Sequence, residues 1–172
     1  MEEIVNKVAQ SSLVTIDLDD YLSRVEVVFF DLKPFLFQEM ILREKDFRLA
    51  MKELDWTMYE GKNIVVGCSN DAIIPTWAYM LIGSKLSGLA KDYRVGEESD
   101  LEKMKIDKSI DQLALEDHRE AKVVIKGCGN LKLRDYAYTE VTKVLVGKVS
   151  SLMYGEPCST VPVYKKPRVK GV

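Results

Sequence analysis

Apolar residues recur along this chain with two periods, and the alternation between them sets the order of the elements. In EEIVNKVAQS, Ile4, Val5 and Val8 stand at helical spacing and predict a short amphipathic helix. From Leu13 to Tyr21 polar and apolar residues alternate, the period of a half-buried strand, with Ile16 and Leu18 facing inward. VEVVFFDLK, Val25 to Lys33, is β-branched and aromatic and reads as a second strand ended by Pro34. Phe35 to Leu54 then takes the helical period. Leu36, Met40, Phe47, Ala50, Met51 and Leu54 share one face, with a break expected near Arg43 to Asp46.

NIVVGCS, Asn63 to Ser69, is almost continuously apolar, the pattern of a central strand covered on both faces. PTWAYMLIGSKLSGL, Pro75 to Leu89, is apolar nearly all round and predicts a buried helix with proline in its first turn. A short strand at Lys91 to Gly96, a helix N-capped by Ser99 and running on through IDQLALEDH, and another apolar strand at Ala121 to Asn130 follow. The last long helix is expected at Asp135 to Ser151, and the two prolines beyond it allow an edge strand at Val161 to Lys165. Strands followed by helices predict an α/β fold, a mixed β-sheet with parallel central strands near Ile64 to Cys68 and Val123 to Lys126, flanked by helices. The two earlier strands are expected to extend that sheet antiparallel or to form a hairpin at its edge. One domain over residues 1–166 and a basic tail over 167–172 suit a chain of 172 residues.

The charge balance changes this picture little. Lys plus Arg number 25 against 27 Asp plus Glu, a formal charge of −2, so no general DNA or RNA surface is expected. The basic run YKKPRVK reads as a solubilising tail. The first residues lack the apolar core of a signal peptide, and no apolar run is long enough for a membrane helix. A cytoplasmic protein with no membrane contact follows as an expectation. An odd cysteine count argues against a closed set of internal disulfides, and reduced thiols fit that compartment.

The cysteines carry the candidate chemistry. VVGCSND and VIKGCGN each end an apolar strand in Gly-Cys before a helix, and GEPCSTVP sets the third beside proline and two hydroxyl residues. If the two strands were parallel members of one sheet, Cys68 and Cys128 would share its carboxyl edge, where open α/β sheets bind ligands. GEPCSTVP is expected to close over that edge, with Gly155 ending the helix before it and Pro157 and Pro162 stiffening it. Cys68, Cys128 and Cys158, with Asp71 or Glu156, would then supply soft ligands for zinc or iron, including an iron–sulfur centre. The intervals are unlike a compact zinc knuckle. Two other readings stand beside this one. One is a thiol-dependent enzyme using Cys128 or Cys158. The other is an interaction module whose cysteines only pack.

Arg134 follows Cys128 by six positions, the interval of a phosphate-cradling cysteine loop, but CGNLKLRD lacks that loop's central glycines and the hydroxyl after the arginine, and is read as a chance match. His118, among charged neighbours, is expected in solvent. Asp17, Asp19, Asp20 and Asp31 read as a solvated acidic set. Trp77, Tyr79, Tyr136 and Tyr138 read as packing groups.

MILREKDFRLAM, CSNDAIIPTWAYMLIGSKL, VIKGCGNL and SLMYGEPCSTVPVYKK together resemble a bacterial family found mainly in Bacteroidetes, domain of unknown function 2480, over about Ile4 to Lys166. The resemblance implies cysteines at positions 68, 128 and 158 and does not require Arg134. Members are encoded near iron–sulfur assembly genes, which implies iron–sulfur assembly proteins as partners.

Overall fold

The computed structural model describes residues 13–126 and 133–167. The helix expected at the start of the chain, the basic tail beyond Pro167 and Cys128 all lie outside the described residues. In chain order the elements are β1 (Leu13–Asp17), α1 (Leu18–Leu22), β2 (Val27–Asp31), α2 (Glu44–Glu53), β3 (Asn63–Gly67), α3 (Thr76–Leu86), β4 (Asp92–Val95), α4 (Asp100–Leu115), β5 (Lys122–Lys126), α5 (Arg134–Leu145), β6 (Ser151–Glu156) and β7 (Ser159–Lys165). The fold is α/β, with a mixed sheet and parallel central strands flanked by helices.

The strands divide between two sheets rather than joining one. The chain forms two compact units, one from Met1–Val25 with Ile106–Val172 and one from Glu26–Lys105. In the second unit β2, β3 and β4 run parallel in that order, joined through α2 and α3. β3 lies in the middle, and all five of its residues are buried, as the unbroken apolar run requires. In the first unit the order is β1-β5-β6-β7. β1, β5 and β6 are parallel, and β7 returns antiparallel along β6. The strands ending at Gly67 and Lys126 are therefore not neighbours in one sheet, which removes their expected shared edge. β1 and β2 also pair parallel rather than antiparallel: each joins the central strand of its own sheet.

Each sheet buries one core. Ile16, Val123, Ile125 and Leu152 pack with Leu18, Ile106, Leu113, Val141 and Leu145 in the first unit. In the second, Phe30, Ile64 and Val66 pack with Phe47, Met51, Ala78, Ile82 and Leu86. Phe30 lies at the centre of an aromatic group. Its ring stacks on Trp56 at 5.6 Å and Phe35 at 5.9 Å and tilts toward Tyr59 at 5.5 Å.

Three boundaries differ from the sequence pattern. The helix expected over Phe35 to Leu54 forms only from Glu44 onward. Before it, Phe37 and Ile41 exchange backbone hydrogen bonds across a tight reversal, with Gln38 and Glu39 at φ +51° and +59°. Arg43 lies 3.2 Å over the Phe37 ring, and the Asn70 side chain donates to the Glu39 carbonyl, so tertiary contacts hold a turn where helical spacing alone would continue a helix. Strand β1 stops at Asp17, because the Asp17 carboxylate accepts from the Asp19 N–H at 3.1 Å and caps α1. Leu18 is buried as expected, but on a helix. Helix α5 ends at Leu145, and Gly147, at φ +88°, turns the chain toward β6.

Asp31, at the end of β2, has a structural task. Its carboxylate accepts from the Ser69 hydroxyl at 2.6 Å, the Ser69 N–H at 2.9 Å and the Lys33 N–H at 2.9 Å. Burial pushes the carboxyl up, but these hydrogen bonds, with the nearby Lys33 charge, hold it below its ordinary value. A folded pKa below the unfolded one gives a contribution that is complete above about pH 4 and is lost as pH falls through the folded value. The Asp31→Asn variant is therefore expected to lose less stability than the parent on going from about pH 6 to about pH 2, read as the shift in urea midpoint. Equal acid sensitivity in the two proteins would remove this role.

Candidate functional site

Two strands and a helix of the first unit converge where Ile125 of β5 pairs with Tyr154 of β6, toward the carboxyl ends of both parallel strands. Here α5, β6 and β7 line a groove of about 490 Å³. That volume is within the range of small-molecule sites, roughly 300–1,000 Å³. Its floor and walls are largely apolar: Ile125, Leu152, Met153 and Val163, with the Tyr138 and Tyr154 rings. The two rings meet edge to face at 5.2 Å.

Arg134, the first residue of α5, supplies the positive charge. Its guanidinium stands 5.9 Å from the Tyr138 ring centre and 5.8 Å from that of Tyr154, and donates to the Tyr154 hydroxyl. No carboxylate among the described residues forms an ion pair with it. Asp135, Thr139 and Thr142 add polar groups to the same lining. The Thr139 and Thr142 hydroxyls donate back to the helix carbonyls of Asp135 and Tyr138, at 2.7 Å in each case. Local folding explains the arrangement. A helix that starts directly after the β5 connection sets its first side chain beside the strand ends, and Tyr138 lies one turn on, at the i+4 position of the same face. A guanidinium with no ion pair among the described residues, beside two aromatic rings and an apolar groove, can take a carboxylate or sulfonate while the groove holds an apolar body.

A charged border lies at the same strand ends. Lys126 and Asp17, register partners on β5 and β1, pair at 3.2 Å. The Asp17 carboxylate, and after it Glu156, raises the Lys126 ammonium above its ordinary pKa. Asp17 thus works as a helix cap and an ion-pair partner.

The five residues proposed from sequence as metal ligands are divided between the two units, with one of them outside the described residues. Cys68 and Asp71 belong to the second unit. Cys68, next after β3, packs against that unit's core. Glu156 and Cys158 belong to the first, and Cys128 lies outside the described residues. Among the described residues no group of three or more His, Cys, Asp or Glu side chains is placed to hold a metal ion.

GEPCSTVP is a β-hairpin and not a loop closing over an edge. Glu156 pairs with Ser159, leaving Pro157 and Cys158 as the turn. Gly155 ends no helix. It sits in β6 at φ +118°, where an added Cβ would lie 2.6 Å from the Ser159 carbonyl oxygen. The thiol of Cys158 is exposed at the tip.

His118 is likewise not in solvent. Its residue is 7% exposed, its Nε2 lies 3.7 Å from the Glu116 carboxylate, and that nitrogen has no hydrogen-bond partner among the described residues. The flanking Asp117 and Arg119 side chains take the solvent side, leaving the ring to the interior. Glu116 also accepts from the Tyr21 hydroxyl at 2.8 Å. Burial first, and then this acceptor and its charge, push the Tyr21 phenol up to about 12.

Arg134 lines the groove, and the sequence carries no motif that joins it to Tyr138 and Tyr154. Tyr138 was read as packing and lies in the groove wall as well as against the core.

A family model described as "Protein of unknown function (DUF2480)" matches residues 2–166. No curated protein and no solved structure matches the chain. No helix among the described residues is long and apolar enough to cross a membrane.

Proposed function

We propose a function from the premise that the chain belongs to the DUF2480 family, whose description assigns no reaction: it is a binding protein for a small ligand with an apolar body and one anionic end. The observation that carries this reading is Arg134, without a carboxylate partner among the described residues, held against the paired Tyr138 and Tyr154 rings beside an apolar groove of about 490 Å³. The groove takes the apolar body by burial, and the guanidinium takes the anion through paired N–H donors.

The test uses matched probes. Anilinonaphthalene sulfonate and octanoate are expected to bind, and octanol to bind at least about tenfold more weakly for want of the charge-assisted pair. Arg134→Gln is expected to lower the affinity for the two anions about tenfold or more and to leave octanol unchanged. Fluorescence titration and calorimetry read both. Equal binding of octanol and octanoate, or an Arg134→Gln protein that binds like the parent, would reject the reading.

One observation favours a second reading, thiol chemistry at Cys128. Arg134 opens the helix that follows the parallel strand β5, and the connection between them carries Cys128 six positions upstream. Faster alkylation of Cys128 than of Cys158 at neutral pH, slowed by octanoate, supports this reading. Equal rates, unaffected by octanoate, sink it.

A further inference from the structure

The opposite end of the four-stranded sheet carries a second cluster that the groove does not involve. Lys122 opens β5, Ser151 opens β6 and Lys165 closes β7. The register pairs Lys122 with Ser151 and Ser151 with Lys165. Register partners project to the same face of a sheet, so a lysine, a serine and a lysine form one row across three strands. Adjacent strands are about 4.8 Å apart, which sets the two lysine Cα atoms roughly 10 Å apart with the serine between them. They line a cleft of about 300 Å³ together with Glu120, Ser150, Lys166 and Pro167.

The charge there is uneven. Glu120 is the single carboxylate among the described lining residues, and Lys166 already pairs with it. Lys122 and Lys165 have no ion pair with a described residue. The Ser150 hydroxyl is engaged, donating to the Ala121 carbonyl at 3.0 Å. Two ammonium groups with no ion pair among the described residues thus face one cleft on either side of a hydroxyl, in a chain whose formal charge is −2. Lysine acts as a compact point charge with three donors and meets a tetrahedral anion from any side, whereas a planar carboxylate is better matched by arginine.

We propose that this cleft, through Lys122, Ser151 and Lys165, binds a phosphate-type anion. The site is distinct from the Arg134 groove and takes a different ligand class.

Calorimetric titration of the full chain with inorganic phosphate, at an ionic strength fixed with chloride, tests the proposal. Saturable binding is expected. Lys122→Gln and Lys165→Gln are each expected to weaken it about tenfold, and Ser151→Ala by a smaller factor. Lys85→Gln on α3 and Arg134→Gln are expected to bind like the parent. The lysines and Arg134 are exposed and Ser151 is half-buried, and a circular dichroism melt of each variant shows that the fold is kept. The source of the phosphate is read with vesicles of phosphatidylcholine containing phosphatidic acid. Retention of the parent but not of Lys122→Gln supports a lipid headgroup. Phosphate binding without vesicle retention supports a soluble phosphate compound. No saturable binding overturns the proposal, as does parent-like affinity in both lysine variants. A loss in Arg134→Gln in place of the lysine variants also overturns it, because the anion would then belong to the groove.

Discussion

Gly67→Ala is expected to destabilise the protein by about 3 kcal/mol, a large effect for one added methyl group. A Cβ at Gly67 would lie 2.0 Å from the Gly96 carbonyl oxygen and 2.9 Å from a Phe29 ring carbon. The first contact is with backbone, which no rotamer change relieves. Gly67 ends β3, where its carbonyl accepts from the Leu32 N–H at 2.8 Å while the Gly96 N–H donates to Val66 at 3.0 Å. Relief of the clash would pull these links apart on both sides of the central strand. Urea unfolding monitored by tryptophan fluorescence measures the effect, since Trp56 and Trp77 both pack on this unit's core. A variant within about 0.5 kcal/mol of the parent would show that the strand ends yield freely. The expectation bears on the cysteine next to it. In VVGCSND the glycine is needed for the approach of β4 to β3, and Cys68 packs on the core, so Gly-Cys here is explained without thiol chemistry.

Phe30→Ala is expected to cost more still, about 3–5 kcal/mol. The side chain is 2% exposed, and Phe35, Trp56 and Tyr59 each set a ring within 5.9 Å of it. Truncation removes the buried ring and leaves Phe35 on one segment and Trp56 and Tyr59 on another around a cavity that they cannot jointly close. Phe30→Leu, which keeps most of the volume, is expected to lose roughly half as much. The same urea series reads both variants. Equal costs for alanine and leucine would mean that ring contacts, and not volume, dominate. A cost below about 1 kcal/mol for alanine would reject the central place of Phe30 in this core.

Local order was legible in the sequence wherever one period ran without competition. The runs at Ile64 to Val66 and Val123 to Ile125 are buried central strands because continuous β-branched residues have no polar face to give to water. The helix from Thr76 is nearly apolar all round, and Ala78, Ile82 and Leu86 are buried at helical spacing. The residues Phe35 to Arg43 were misread because their spacing fits a helix, while the Phe37–Ile41 reversal depends on Asn70 and Arg43, contacts that no local window contains.

The candidate site was less legible. Cysteines draw attention by chemistry, and Cys68 and Cys158 came to rest in different units, one against a core and one at a hairpin tip. Arg134, Tyr138 and Tyr154 share no motif. They meet because β5, α5 and β6 form one parallel crossover that sets the start of the helix beside the strand ends. Lys122, Ser151 and Lys165 are likewise separated by the whole of α5 and a hairpin, and strand register alone sets them in one row. What the sequence by itself determined was which segments are strands and helices and which faces are apolar, because those follow from residue type and a period of 2 or 3.6. Only the tertiary structure decided which strands are neighbours. Pairing in a parallel sheet is a choice among similar apolar strands, settled by long-range burial and chain connection rather than by any residue's own preference. Here that choice put β1 beside β5 and β2 beside β3, and so made two sheets from strands that a reading in chain order had joined into one.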